Sequence, residues 1–106
     1  MYRLVISAPA EVDIQSAYAW WCSNRSTEQA DRWYECIRLA ILDLADRADQ
    51  FAIAPESDLV ATGLRQRNVG IGRRPTHRVV FTVTSEEVVV IRVRHLAQDA
   101  LMQSEV

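Results

Sequence analysis

Arg78 and Arg94 lie in two alternating apolar and polar segments that flank the short polar stretch Ser85-Glu86-Glu87. Paired as a hairpin, those segments bring two planar cationic forks together, a grip suited to phosphate or carboxylate. Arg92 precedes Arg94 by two residues and shares its face. Arg65 and Arg67, on a preceding segment, widen the same surface if they point that way. Their parity with Val69 and Ile71 argues against it unless the chain bulges near Gly70. His95 closes the last segment with a side chain whose ordinary pKa suits proton transfer near neutrality. Strict alternation puts it on the face opposite the arginines, although a strand-end residue can turn outward. His95 and His77 therefore each have a catalytic and a purely structural reading.

All 12 basic residues are Arg, against 14 acids, for a net charge of −2. Residues 1–62 carry five Arg and ten acids (5 − 10 = −5), and residues 63–106 carry seven and four (7 − 4 = +3). Bulk electrostatics will not draw such a chain onto nucleic acid, so any polyanion contact is local to the C-terminal half. A chain of 106 residues, 49% apolar and 25% charged, is expected to form one globular domain. No apolar run suggests a membrane span or a secretory leader, and the expectation is a cytoplasmic protein. Cys22 and Cys36 lack metal-ligand spacing, and a helical hairpin holds them too far apart for a disulfide. No metal and no cofactor is implied.

The elements that must position the arginines follow from periodicity. Tyr2 to Ser7 alternates as a short strand. Ser7 and Pro9 open a helix whose apolar face is Ala10, Ile14, Ala17, Tyr18 and Trp21, ending near Cys22. After a turn at Ser23 to Arg25, Ser26 and Gln29 form a capping box. The second helix carries Ala30, Trp33, Ile37, Ala40, Ile41, Leu44 and Ala48 on one stripe. A short turn between two amphipathic helices makes an antiparallel pair. Residues 50–63 have no period and form a loop. Arg65 to Ile71, His77 to Thr84 and Val88 to His95 are strands, and Ala97 to Gln103 is expected as a short terminal helix. The fold class is α+β, with an antiparallel sheet, a helical hairpin on one face and the order β-α-α-β-β-β.

If Val79, Phe81 and Val83 share the helix-covered side with Val89, Ile91 and Val93, a three-residue turn pairs Thr84 with Val88. The same register sets Val80 opposite Arg92, Arg78 opposite Arg94 and His77 opposite His95. Like charges directly opposed call for an anion between them. That anion is either a carboxylate of the same chain, from Asp99, Glu105 or the C-terminus, or a phosphate or partner carboxylate on an uncovered sheet face. Trp21 and Trp33 fall on the apolar stripes. Trp20 and Tyr34 fall beside them, where exposed aromatics suit an interface.

The element order resembles the RelE/ParE superfamily of type II toxins. So do the opening Ser7-Ala8-Pro9-Ala10-Glu11-Val12-Asp13-Ile14, the strand start Arg78-Val79-Val80-Phe81, and the close Val90-Ile91-Arg92-Val93-Arg94-His95-Leu96-Ala97-Gln98-Asp99. The similarity covers nearly the whole chain. It implies a bacterial, plasmid-stabilising toxin neutralised by a cognate antitoxin whose C-terminal segment wraps it, as a hetero-oligomer or beside a homodimer. RelE-like members cleave mRNA on the ribosome without metal, and ParE-like members poison DNA gyrase. In the first case the resemblance assigns Arg78 to the scissile phosphate, with Arg94 and His95 completing a catalytic set.

The departures favour the ParE-like branch. RelE-like toxins are basic, with lysines where this chain has Arg65 and Arg67, and many use a C-terminal Tyr. Here Tyr2, Tyr18 and Tyr34 all lie in the N-terminal half. Arginine cannot serve as a general base, which leaves His95 and His77. A ribosome-dependent endoribonuclease is the alternative, and a non-catalytic protein-binding domain of the same fold is the third reading.

Overall fold

The computed structural model describes residues 1–106. Its elements are β1 (Arg3–Ile6), α1 (Ala8–Asn24), α2 (Thr27–Arg47), β2 (Arg65–Val69), β3 (His77–Val83) and β4 (Glu87–His95), with short 3-10 turns at Ala48–Gln50, Ser57–Leu59 and Gln103–Glu105. The expected order β-α-α-β-β-β is present. The sheet runs β1-β4-β3-β2. It is mixed, because β1 lies parallel to β4 while β2, β3 and β4 are antiparallel. A parallel neighbour needs a long crossover, which the helical hairpin and the segments after it supply. The expected terminal helix is instead a turn after His95 and a single 3-10 turn at Gln103–Glu105.

Both helices begin where side-chain oxygens meet the first free N–H groups. Ser7 accepts from the Ala10 N–H at 3.1 Å, and Ser26 accepts from the Gln29 N–H at 3.1 Å. Ser7 also ties the helix to the sheet, donating its hydroxyl to the Ile91 carbonyl at 2.8 Å and its N–H to the Val90 carbonyl at 3.0 Å. Ser7→Ala removes the cap and leaves the Ile91 carbonyl without the hydroxyl donor. Urea unfolding is expected to show a loss of about 1.5 kcal/mol.

α2 buries Ala30, Trp33, Ile37, Ala40, Ile41 and Leu44, the stripe its period marks out. All of these but Ala30 join Ala10, Ala48, Val69, Val79, Phe81, Val88, Val90 and Val93 in the main core between helices and sheet. The expected register holds from His77↔His95 to Val80↔Arg92 and then shifts by one, so that Phe81 pairs with Val90 and Val83 with Val88. Ile91 is the extra residue of a bulge. Val88 and Val90, not Val89 and Ile91, therefore face the helices.

The other sheet face is covered, contrary to expectation. Ala54, Leu64, Val80 and Leu101 form a second buried cluster, with Val60, Ile91 and Val106 packed against it. The segment between α2 and β2 and the C-terminal residues fold over this face. Six of the seven residues of β3 are buried.

Candidate functional site

Arg78 and Arg94 stand opposite each other on the face away from the helices. Each is held by the chain's own acids. Arg78 donates from Nη1 to Glu56 Oε1 at 2.9 Å and to Gln66 Oε1 at 2.9 Å, and from Nη2 to Glu56 Oε2. Glu56 Oε2 also accepts the Leu101 N–H at 2.8 Å. The side chains of Glu56 and Arg78 are 3% and 11% accessible, so this is an internal ion pair. The hydrogen bonds from Arg78 hold the Glu56 carboxyl down at about 2 against the cost of burial, with the Leu101 N–H adding to the effect.

Arg94 donates from Nη1 to Glu105 at 3.0 Å and from Nη2 to the Asp99 carbonyl at 3.0 Å. Glu105 is held below the usual carboxylate range chiefly by the Met102 N–H and also by Arg94 and Arg92. Arg92 turns round the part of β4 that extends past β1. Its Nε and Nη2 meet the two oxygens of Asp13 on α1 at 2.7 and 2.9 Å, and the Val93 N–H donates to the same carboxylate at 2.9 Å. Asp13 thereby satisfies a strand edge that has no neighbour.

The anion required between the arginines is thus intramolecular. Glu105 was among the acids the sequence offers, whereas Glu56 and Asp13 were not apparent. No local pattern marks either one, because Asp13 reaches a strand 80 residues later and Glu56 lies in an aperiodic loop.

Arg65 and Arg67 point the other way. Their cross-strand partners are Phe81 and Val79 on the helix side. Arg65 donates to the Phe51 carbonyl at 2.7 Å. Arg67 donates to the Ala40 carbonyl at 3.0 Å and Asp43 at 2.9 Å. An open pocket formed jointly by Arg65, Arg67, Arg78, Arg92 and Arg94 does not exist, since the first two sit across the sheet and the other three are clasped.

His95 also lies on the helix side. It lines a cleft of about 310 Å³ with Asp13, Ser16, Trp20, His77 and Gln98. The three residues of the nuclease-type set, Arg78, Arg94 and His95, are therefore not brought together, because alternation sends neighbours to opposite faces. His95 accepts the Ala97 N–H on Nδ1 at 3.0 Å, and its ring stacks edge-on with His77 at 5.1 Å. His77 is buried, and its Nδ1 accepts the Trp33 indole N–H at 3.2 Å. Burial, reinforced by the nearby His95, pushes the His77 pKa down to about 4.

The two flanking aromatics are open to solvent, Trp20 at 51% and Tyr34 at 46%. Tyr34 borders an apolar groove of about 410 Å³ with Leu4, Ile6, Ile14, Ile37 and Leu42. Trp33 is enclosed and Trp21 packs on the core.

The fold has a solved counterpart in architecture. A chain described as "Chromosomal ParDE TA system from P. aeruginosa" superposes with a TM-score of 0.73 at 21% identity, over 90% of this chain and 96% of that one. At that identity the likeness concerns the fold. Residues 4–100 match the model of the ParE toxin of type II toxin-antitoxin systems, parDE, and the chain belongs to that family. No protein of curated function matches the sequence. No helix is long and apolar enough to cross a membrane.

Proposed function

We propose that this protein is the toxin of a type II toxin-antitoxin module, acting by binding DNA gyrase and neutralised by a cognate antitoxin. The observation that carries the choice of target is the separation of His95 from Arg78 and Arg94 by the sheet itself. Cleaving RNA through its 2′-OH needs a base, a cation for the charge building on phosphorus and an acid, all within reach of one phosphate. On the arginine face each cation is paired with an acid of the same chain, Glu56, Glu105 or Asp13, and no His or Tyr stands beside them. A target held by surface complementarity requires no such set. The open aromatic edges at Tyr34 and Trp20 suit the antitoxin contact, or a contact with a second copy.

Induction of the toxin without its antitoxin tests this. The expected outcome is a rising SOS response and gyrase-linked DNA breaks while transcripts stay intact, with growth restored by the neighbouring antitoxin. New 5′ ends on translated mRNA, lost in His95→Ala, would establish the endoribonuclease reading instead. An unharmed host would leave only a protein-binding role for the domain.

A further inference from the structure

A second group of arginines lies on the helix side of the sheet, and its donors are not saturated. The cleft between α2, β2 and the loop joining β2 to β3 has a volume of about 590 Å³ and is lined by Arg47, Arg67 and Arg73 with Asp43, Asn68 and Gly70 among their neighbours. Three arginines and one carboxylate line it, so the lining carries two positive charges in excess (3 − 1 = +2).

Asp43 is already divided. Its Oδ2 accepts from Arg47 Nη1 at 3.0 Å and from Arg67 Nη1 at 2.9 Å. The hydrogen bonds of Arg67 all leave from Nη1, so its Nε and Nη2 are unused. Arg47 keeps Nη2 unused as well. Both guanidiniums lie over the Phe51 ring, at 5.6 Å for Arg47 and 4.7 Å for Arg67, which fixes their planes at no cost in donors. Arg73 is exposed and belongs to none of the chain's ion pairs.

The loop that carries Arg73 is built to lie over this cleft. A Cβ on Gly70 would sit 2.2 Å from the Arg74 carbonyl oxygen and 2.8 Å from Pro75 Cα, so only glycine permits the chain to fold back there. Gly72 follows at φ +68°, in the left-handed region.

We propose that this cleft is a phosphate-binding site, in which Arg47, Arg67 and Arg73 grip the oxygens of a phosphate group through their free N–H edges. Phosphate fits better than a carboxylate because it presents oxygens in several directions to three separate forks. The source is either a small phosphate or the backbone of DNA. A backbone grip would suit a protein that docks on a DNA-bound enzyme, but the site stands or falls independently of the gyrase reading.

Titrating the isotope-labelled protein with pyrophosphate, and separately with a short DNA duplex, tests the site by NMR. Saturable shifts are expected at Asn68, Gly70, Gly72 and the three guanidiniums. Arg73→Gln, at an exposed position, is expected to weaken binding roughly fivefold or more. Asp43→Asn removes the competing carboxylate and is expected to tighten binding, a gain that mere damage to the fold would not produce. Pyrophosphate binding without duplex binding identifies a small phosphate as the source. Duplex binding with a salt slope that falls by about 1 in Arg73→Gln identifies the backbone. Absence of saturable binding to both, shifts scattered over Arg3, Arg25 and Arg32, or no tightening in Asp43→Asn overturns the proposal, whatever the cellular target proves to be.

Discussion

Glu56→Gln is expected to destabilise the protein by about 3 to 5 kcal/mol, the cost of leaving a buried guanidinium without its counter-charge. Arg78 is 11% accessible and cannot swing into water to recover hydration. Its other partner, Gln66, is neutral. The depression of the Glu56 pKa from 4.5 to about 2 argues for the same scale, since each unit is worth about 1.4 kcal/mol. For a domain of this size the loss corresponds to a fall in Tm of more than ~12 °C. The change also removes the strongest acceptor for the Leu101 N–H, so amide exchange at Leu101 should accelerate ahead of global unfolding. In the double variant Glu56→Gln with Arg78→Met both charges are gone, and stability is expected to recover most of the loss. Urea unfolding of the three variants measures this directly. A single-variant loss under ~1 kcal/mol would mean that the pair is solvated and the covered face opens in solution.

That ion pair also shows where sequence reasoning reached and where it stopped. The opposition of Arg78 and Arg94 was legible because parity and turn length fix a register. The need for an anion followed from charge alone. What escaped was the supplier, because Glu56 arrives from an aperiodic segment whose path depends on Pro55, a 3-10 turn and the Ala54 and Leu64 contacts beneath it. The bulge at Ile91 escaped for a different reason. Val88, Val89, Val90 and Ile91 are apolar at both parities, so alternation offers no vote between one register and the next. A strand apolar on both faces is itself the sign of a sheet covered on both sides, and the expectation of an open face overlooked it, although Val80 lies in the second buried cluster. The helical hairpin, by contrast, was legible to within about two residues, because α2 buries one stripe only and both caps are serines whose hydroxyls accept the first free N–H groups. The family likeness rests on this frame, and the sites rest on the loops.

Acid is expected to destabilise this protein in two distinguishable pH ranges, the first set by His77. In the native state Nδ1 of His77 is occupied as an acceptor by the Trp33 indole, which can only donate. Protonating the ring at that nitrogen would set two donors against each other inside the core, and protonating it at all would place a charge where burial is nearly complete. The Thr76 hydroxyl, 2.8 Å from the same nitrogen, offers partial relief, while the neighbouring His95 ring works against a charge on His77. Asp13 borders the same cleft, but its oxygens are taken by Arg92 and the Val93 N–H. The folded pKa is therefore about 4 against 6.5 in the unfolded chain. Between those values the unfolded state binds more protons, so stability is fully present above pH 6.5 and falls as pH drops toward 4. The total is about 3 kcal/mol, of which about 2 is lost between pH 7 and pH 5. Glu56 then contributes the second step, its stabilisation present above pH 4.5 and lost as pH falls toward 2. Urea midpoints across pH 7 to 3 separate the two. In His77→Gln the amide oxygen can still accept from Trp33, and the slope above pH 5 is expected to flatten while the lower one persists. An unchanged slope above pH 5 in that variant would assign the first step to another group and leave His77 an ordinary core residue.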